Sequence, residues 1–209
     1  MKFYDHTDAG IQLAEKLKKR YSRNQNLIVI ALPRGGVPVG FQVAQTLGAP
    51  LDIVVTRKLR TDLAPEFGFG AISPDNEIII DSESVKMLEL TEEMIRYIIK
   101  QEKKELQRRM NKYRGNSDYP DVKGKIVILV DDGVATGMTS IAAIQFLKKL
   151  KPQKIVAAFP VCAADAAKEI SAIVDEFICL YIPEEFHAVG AWYENFSQIS
   201  DEEVINLLS

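Results

Sequence analysis

Five strand-like, mostly apolar runs, at residues 27–31, 51–56, 126–130, 155–161 and 176–182, constrain the fold of this chain more than any other feature. The first, Leu27-Ile28-Val29-Ile30-Ala31, has no polar position, as a strand covered on both faces requires. Amphipathic segments alternate with the runs. Residues 8–21 place Ile11, Ala14, Leu17 and Tyr21 on one helical face, 39–47 end at Gly48, 139–150 stop at Lys151-Pro152, and 163–171 read as a further helix. Strands and helices alternating at this spacing predict an α/β fold, a twisted parallel sheet flanked by helices.

The rhythm breaks twice. Residues 59–76, with Asp62, Pro65, Gly68 and Gly70, read as a loop followed by two short strands near 68–73 and 77–81. Residues 91–113 read as a long helix carrying Met94, Ile98, Leu106 and Met110. Its Glu105–Arg109 pair at i,i+4 marks a solvated outer face on a helix that covers one sheet edge. A polar connector spans 115–125, and the aromatic tail from Pro183 ends in a short helix near 201–208. The expected organisation is a single domain over 1–209, with a helical insertion at about 84–115 and a small C-terminal hood at about 181–209.

Bulk properties exclude several classes. At 209 residues and 47% apolar content the chain can bury a proper core. A net charge of -3 argues against a nucleic-acid partner. No run approaches the roughly 18 apolar residues of a membrane span, and the start, Met1 to His6, lacks the apolar stretch of a secretion signal. Cys162 and Cys179 lie in apolar surroundings without metal-ligand spacing and read as buried reduced thiols. The expected setting is cytoplasmic, without membrane contact.

The chemistry is concentrated in Val127-Ile128-Leu129-Val130-Asp131-Asp132-Gly133-Val134-Ala135-Thr136-Gly137-Met138-Thr139. An apolar strand delivers two carboxylates to its carboxyl end, and a small, hydroxyl-bearing turn then opens a helix. Such a turn cradles phosphate through backbone N–H groups and the helix dipole, with Thr136 and Thr139 as added donors. Adjacent carboxylates there can accept two vicinal sugar hydroxyls or hold Mg²⁺ through water. Asp-Asp-Gly alone is also a common turn, so the whole pattern carries the reading. Leu32-Pro33-Arg34-Gly35-Gly36 follows the first strand, where paired glycines permit close backbone approach to a dianion and Arg34 adds charge. Arg57-Lys58 closes the second strand.

The thirteen-residue pattern resembles the signature of type I phosphoribosyltransferases, which bind 5-phosphoribosyl-1-pyrophosphate (PRPP). In layout the whole chain is similar to a group of bacterial phosphoribosyltransferases of unassigned acceptor. The resemblance implies that Asp131 and Asp132 hold the ribose hydroxyls, and that Ala135, Thr136, Gly137, Met138 and Thr139 wrap the 5′-phosphate. It implies Mg²⁺, held chiefly by ligand oxygens with Asp131 and Asp132 beside it. Arg34, Gly35 and Gly36 stand where the family's pyrophosphate loop lies, with a cis peptide expected at Pro33–Arg34, and Lys58 stands where a cation reaches the pyrophosphate. Residues 59–67 occupy the place of a flexible closing loop, with Glu66 in the position of a catalytic carboxylate. The segment from Glu185 to Tyr193 looks like the hood of purine-type members, with His187 or the adjacent Phe186 as the acceptor's stacking surface. Trp192, Tyr193 and Phe196 fit an aromatic cap on the core equally well.

One departure matters. Members acting on 6-oxopurines carry an aspartate where this chain has Ala135, whereas adenine-type members carry Ala-Thr-Gly. The expected function is transfer of 5-phosphoribosyl from PRPP to a planar nitrogenous base, with release of pyrophosphate. The alternative is a non-catalytic PRPP- or nucleotide-sensing regulator on the same fold, and a third is transfer to water or phosphate. A homodimer is compatible with either main reading.

Overall fold

The computed structural model describes residues 2–22, 26–61, 64–115, 119 and 121–209, without the side chains of 64–67. The chain runs α1 (His6–Tyr21), β1 (Leu27–Ala31), α2 (Gly36–Leu47), β2 (Leu51–Ile53), β3 (Arg57–Thr61), β4 (Ala64–Ile72), β5 (Ile78–Ile80), α3 (Ser82–Met87) and α4 (Glu92–Arg114). It continues through β6 (Ile126–Val130), α5 (Met138–Lys149), β7 (Lys154–Val161), α6 (Ala164–Ser171), β8 (Glu176–Tyr181), a 3-10 turn (Val189–Trp192) and α7 (Asp201–Leu208). The main sheet has the order β2-β1-β6-β7-β8 with every pairing parallel.

The unbroken apolar runs are explained by burial on both faces. Ile28, Ile30, Val127, Leu129, Ile155, Ala157 and Phe159 join one core with Ile144 and Leu147 of α5 and Ile170 of α6. The intervening Leu27, Val29, Ile128, Val130, Val156 and Ala158 join another with Leu13 and Leu17 of α1 and Val39 and Val43 of α2. Each Val, Leu, Ile or Phe among them contributes ~1.5–3 kcal/mol on burial, so both helical layers are anchored strongly. Ile11 differs from expectation: it is 48% exposed, and Leu13 takes its place on the buried face of α1.

Between β2 and β6 the chain leaves the main sheet. β2 ends at Ile53, short of the expected 56, and within the expected loop 59–61 and 64–67 belong to strands. Arg57–Thr61 pairs antiparallel with β4, and β5 completes a three-stranded sheet. The missed strand is polar in composition, but its burial alternates: Leu59 and Thr61 point inward and Arg60 outward. Leu59, Phe69 and Ile72 form a third core with Val37, Ile53 and Leu106 of α4, and Ile199 and Val204 of the tail close it.

The tail divides. Val189 and Trp192 pack with Phe3, Ala9, Val161 and Tyr193 over the carboxyl end of β7, whereas α7 lies against α2 and α4. The amino terminus pins the first part: the Phe3 amide donates to the Trp192 carbonyl at 2.8 Å, and the Glu194 amide donates to the Phe3 carbonyl at 2.8 Å. Cys162 and Cys179 are free thiols, raised by burial to about 12 and about 11 respectively. Among the described residues no helix is long and apolar enough to cross a membrane.

Candidate functional site

The strand order reverses between β1 and β6, because the chain leaves β1 for β2 on one side and later returns with β6 on the other. Loops leaving two such neighbours diverge and open a crevice at the carboxyl edge of the sheet. Ala31 is in register with Val130, and the Leu32 amide donates to the Val130 carbonyl at 3.0 Å. The segments 32–36 and 131–137 therefore start side by side.

They then touch. A Cβ on Gly35 would fall 1.8 Å from the Asp132 Oδ2, and one on Gly36 would fall 2.9 Å from the Asp131 Cα. Gly35 has an ordinary φ of -59°, so space rather than conformation demands glycine there. The sequence suggested that these glycines admit a ligand; in the structure they admit the paired aspartates. The Pro33–Arg34 peptide is cis.

Asp131 and Asp132 are half-buried rather than open to solvent. Burial and the neighbouring Asp132 carboxylate hold the Asp131 carboxyl well above the usual range, although its Oδ1 accepts the Asp132 amide at 2.9 Å. The Asp132 Oδ2 lies 3.4 Å from the Nε2 of His6, a buried first residue of α1. His6 is sandwiched by Tyr193, at 5.3 Å between centroids, and Phe196, at 4.9 Å. The Tyr193 hydroxyl donates to the Asp132 carbonyl, and burial together with Asp132 and Asp131 pushes its pKa upward.

Beyond the aspartates, Gly133 lets the hood close: a Cβ there would meet the Val189 side chain at 2.6 Å. Gly137 has φ +77°, a left-handed conformation that glycine adopts without strain, and it starts α5 with no side-chain cap. Ala135, Met138 and Thr139 are half-buried and Thr136 is exposed around this turn. The helix N-terminus thus offers backbone donors to an anion.

A cleft of about 200 Å³ lies beside the aspartates, lined by His6, Arg34, Gly35, Arg109, Asp132 and Phe196, with 197–199 along its rim. Arg34 approaches Asp201 of α7 at 3.6 Å. Asp201 also pairs with Arg108 and Lys112 at 3.1 Å each and accepts the Tyr113 hydroxyl at 2.5 Å. Of these partners the Tyr113 hydrogen bond does most to hold the Asp201 carboxyl far below its usual range.

Not every expected residue reaches this cleft. Lys58 sits on β3 with its stem against Gly68, where an added Cβ would fall 2.3 Å from the Lys58 Cε. Its neighbour Arg57 bonds Glu102 of α4 through Nε at 2.7 Å. Glu66 lies on β4, and its side chain is outside the described residues. Phe186 packs on Trp192 at 6.4 Å within the hood, and His187 is exposed. The aromatic side chain at the cleft is Phe196, 44% exposed. His6 and Asp201 go unread in the sequence, whereas Phe196 reads there as part of an aromatic cap and Arg109 as half of a solvated pair. For Arg109 a signal exists: it flanks the Leu106, Met110 and Tyr113 stripe of its helix, so it is largely buried instead of fully solvated.

A parallel sheet whose two neighbouring loops meet an acidic pair at the point where strand order reverses is the arrangement at which open α/β folds bind ligands. Comparison with known proteins narrows this. The model of the phosphoribosyl transferase domain matches residues 2–194, and the chain belongs to that family. It is 40% identical over 206 residues, 99% of its own length, to a Mycobacterium tuberculosis protein named "Putative phosphoribosyl transferase". That alignment covers 46% of the relative, so the chain spans about half the length of the curated relatives it matches. The crystal structure of the Thermus thermophilus protein TT1426 is similar with a TM-score of 0.78 and 34% identity, covering 100% of this chain and 98% of that one. A hypothetical protein from Neisseria gonorrhoeae, solved with bound ppGpp, has a TM-score of 0.51 at 15% identity, covering 100% and 97% of the two chains. That last likeness is one of fold.

Proposed function

We propose that this chain binds Mg²⁺–PRPP at the β1–β6 crevice and transfers the 5-phosphoribosyl group to a planar nitrogenous base, releasing pyrophosphate. The observation that carries the reading is the meeting of the 32–36 loop, the Asp131–Asp132 pair and the uncapped N-terminus of α5 at one sheet edge. In this reading the turn of Ala135, Thr136, Gly137, Met138 and Thr139 wraps the 5′-phosphate, and Asp131 and Asp132 accept the ribose hydroxyls. The segment Pro33 to Gly36 faces the pyrophosphate, with Arg34 as its cation and Lys58 entering from β3.

The donor set fits Mg²⁺ in a limited way. Asp131 and Asp132 supply carboxylate oxygens, and among the described residues no group of three His, Cys, Asp or Glu side chains is placed to hold a metal by itself. Asp131 and Asp132 would hold Mg²⁺ together with ligand oxygens, and the ion would supply charge neutralisation for the leaving pyrophosphate. The protein's share follows from the chemistry. Pyrophosphate departure leaves positive charge at C1, so positioning, charge neutralisation and exclusion of water carry the rate. In this reading Glu66 is the carboxylate that exchanges a proton with the acceptor. Ala135 offers no such group, which favours adenine-like acceptors over hypoxanthine and guanine.

The test is incubation with PRPP, Mg²⁺ and a panel of bases, with pyrophosphate release as the readout. Release that depends on one base supports the transferase. Micromolar PRPP binding without turnover of any base makes the chain a sensor instead, and absence of PRPP binding overturns the reading.

A further inference from the structure

The excursion between β2 and β6 supplies α4, and α4 brings a guanidinium into the cleft that no motif on the main sheet accounts for. Arg109 lines the cleft with Arg34, Gly35 and Asp132, and its side chain is 14% exposed. Glu105 accepts its Nε–H at 2.8 Å. That bond uses one donor of a five-donor fork, and among the described residues the Nη groups have no acceptor. Arg34 is in a similar state: the 3.6 Å approach to Asp201 is an ion pair too long for a good hydrogen bond. Two guanidinium groups with unused donors therefore border one cleft of about 200 Å³.

Both are held from behind. Glu105 also binds Arg108, and Asp201 ties Arg34 to Arg108, Lys112 and Tyr113. Arg57, itself bonded to Glu102, lies close enough that burial and then the charge of Arg109 depress its pKa. Two guanidinium groups with unused donors, crowded by Arg57 and bordering one small cleft, suit a multiply charged anion better than a base or a single phosphate.

We propose that Arg109 is a pyrophosphate-binding residue, so that α4 completes the leaving-group site with Arg34 and is more than a cover for the small sheet. This rests on the reading of the crevice as a PRPP site. Glu105 and Asp201 are positioning residues that hold the two guanidinium groups at the cleft wall. Arg109 then separates pyrophosphate-bearing ligands from those that carry only the 5′-phosphate.

Calorimetric titration of the full chain with Mg²⁺–PRPP, Mg²⁺–pyrophosphate and ribose 5-phosphate tests this in the parent, R109Q and R96Q. Arg96 pairs with Glu92 on the exposed face of the same helix and controls for net charge. R109Q is expected to weaken PRPP and pyrophosphate at least about tenfold and leave ribose 5-phosphate within about twofold. R96Q is expected to match the parent throughout. Unchanged pyrophosphate and PRPP affinity in R109Q overturns the proposal, as does an equal loss for ribose 5-phosphate. If R109Q does not fold, the parent labelled with ¹⁵N-arginine decides: pyrophosphate must shift the Arg109 Nε–H signal and leave that of Arg96 in place, and an unmoved Arg109 signal overturns it. A parent that binds neither PRPP nor ribose 5-phosphate takes down the PRPP reading itself, which is a separate outcome.

Discussion

At Gly35 a single hydrogen decides whether two loops can meet. The Asp132 carboxylate occupies the space of the missing Cβ, and the His6 Nε2 lies 3.4 Å from the same Oδ2 oxygen. An alanine at 35 therefore overpacks a contact that cannot relax freely, which costs about 1–3 kcal/mol. G35A is expected to lower stability in urea denaturation by that amount and to weaken PRPP binding at least about tenfold. Parental stability in G35A shows that the loops can separate at no cost. The aspartates behave differently. They are a half-buried like-charge pair, so replacing both with Asn relieves repulsion while removing the proposed ribose acceptors. D131N/D132N is expected to keep or raise the melting temperature at neutral pH and to abolish Mg²⁺–PRPP binding. Unaltered PRPP affinity in that variant removes the ribose assignment. The sequence singles the pair out only through the whole thirteen-residue pattern around it, because Asp-Asp-Gly alone is a common turn. It does not single out His6 and Asp201, since each reaches the site by tertiary packing that leaves no local mark on the chain.

At the scale of elements, the sheet's opposite edge shows what holds the layers together away from the site. Glu176, the first residue of β8, receives the Lys154 ammonium at 2.6 Å and the Tyr21 hydroxyl at 2.7 Å, and Arg20 also pairs with it. Burial alone would raise its pKa, but the hydrogen bonds from Lys154, Tyr21 and Arg20 win and hold it at about 2. A carboxyl depressed in the folded state stabilises the fold above its unfolded value, near 4.3, and loses that contribution as pH falls toward about 2. E176Q is expected to melt below the parent at pH 6, with the gap closing as the pH is lowered from 5 to about 2. A gap independent of pH shows that shape rather than charge is what Glu176 supplies. This network ties the end of α1 to β7 and β8, elements whose positions were readable from apolar periodicity alone. The hairpin of β3 and β4 was harder. Arg57-Lys58 reads as the close of the second strand and the chain from Leu59 as loop, and only the pairing with β4 and the burial of Leu59 identify 57–61 as a strand of its own. The Glu105–Arg109 pair was likewise legible as a contact, whereas the side of α4 that it faces depends on where the small sheet places the helix.

Taken whole, the molecule brings three distant segments to one crevice: the loops of the main sheet, the face of α4, and the tail from Phe196 to Asp201. The tail presents two aromatic surfaces. Phe186 and His187 lie on the hood, which Phe3 pins through Trp192, and Phe196 stacks on His6 at the cleft wall beside Arg34 and Asp132. The hood surface is the one proposed to meet the acceptor, because Phe196 borders the side of the crevice assigned to pyrophosphate. Stacking adds only ~0.5–1.5 kcal/mol beyond burial, so it seats a ring without choosing among rings. Choice of base falls to polar groups, and Ala135 withholds the acid/base group that a 6-oxopurine calls on. F186A/H187A is therefore expected to raise the KM for the acceptor severalfold while PRPP affinity stays within about twofold, with adenine turned over faster than hypoxanthine by parent and variant alike. Loss of PRPP affinity in the double variant assigns these residues to hood packing, in line with the Phe186–Trp192 contact. Faster turnover of hypoxanthine overturns the argument from Ala135.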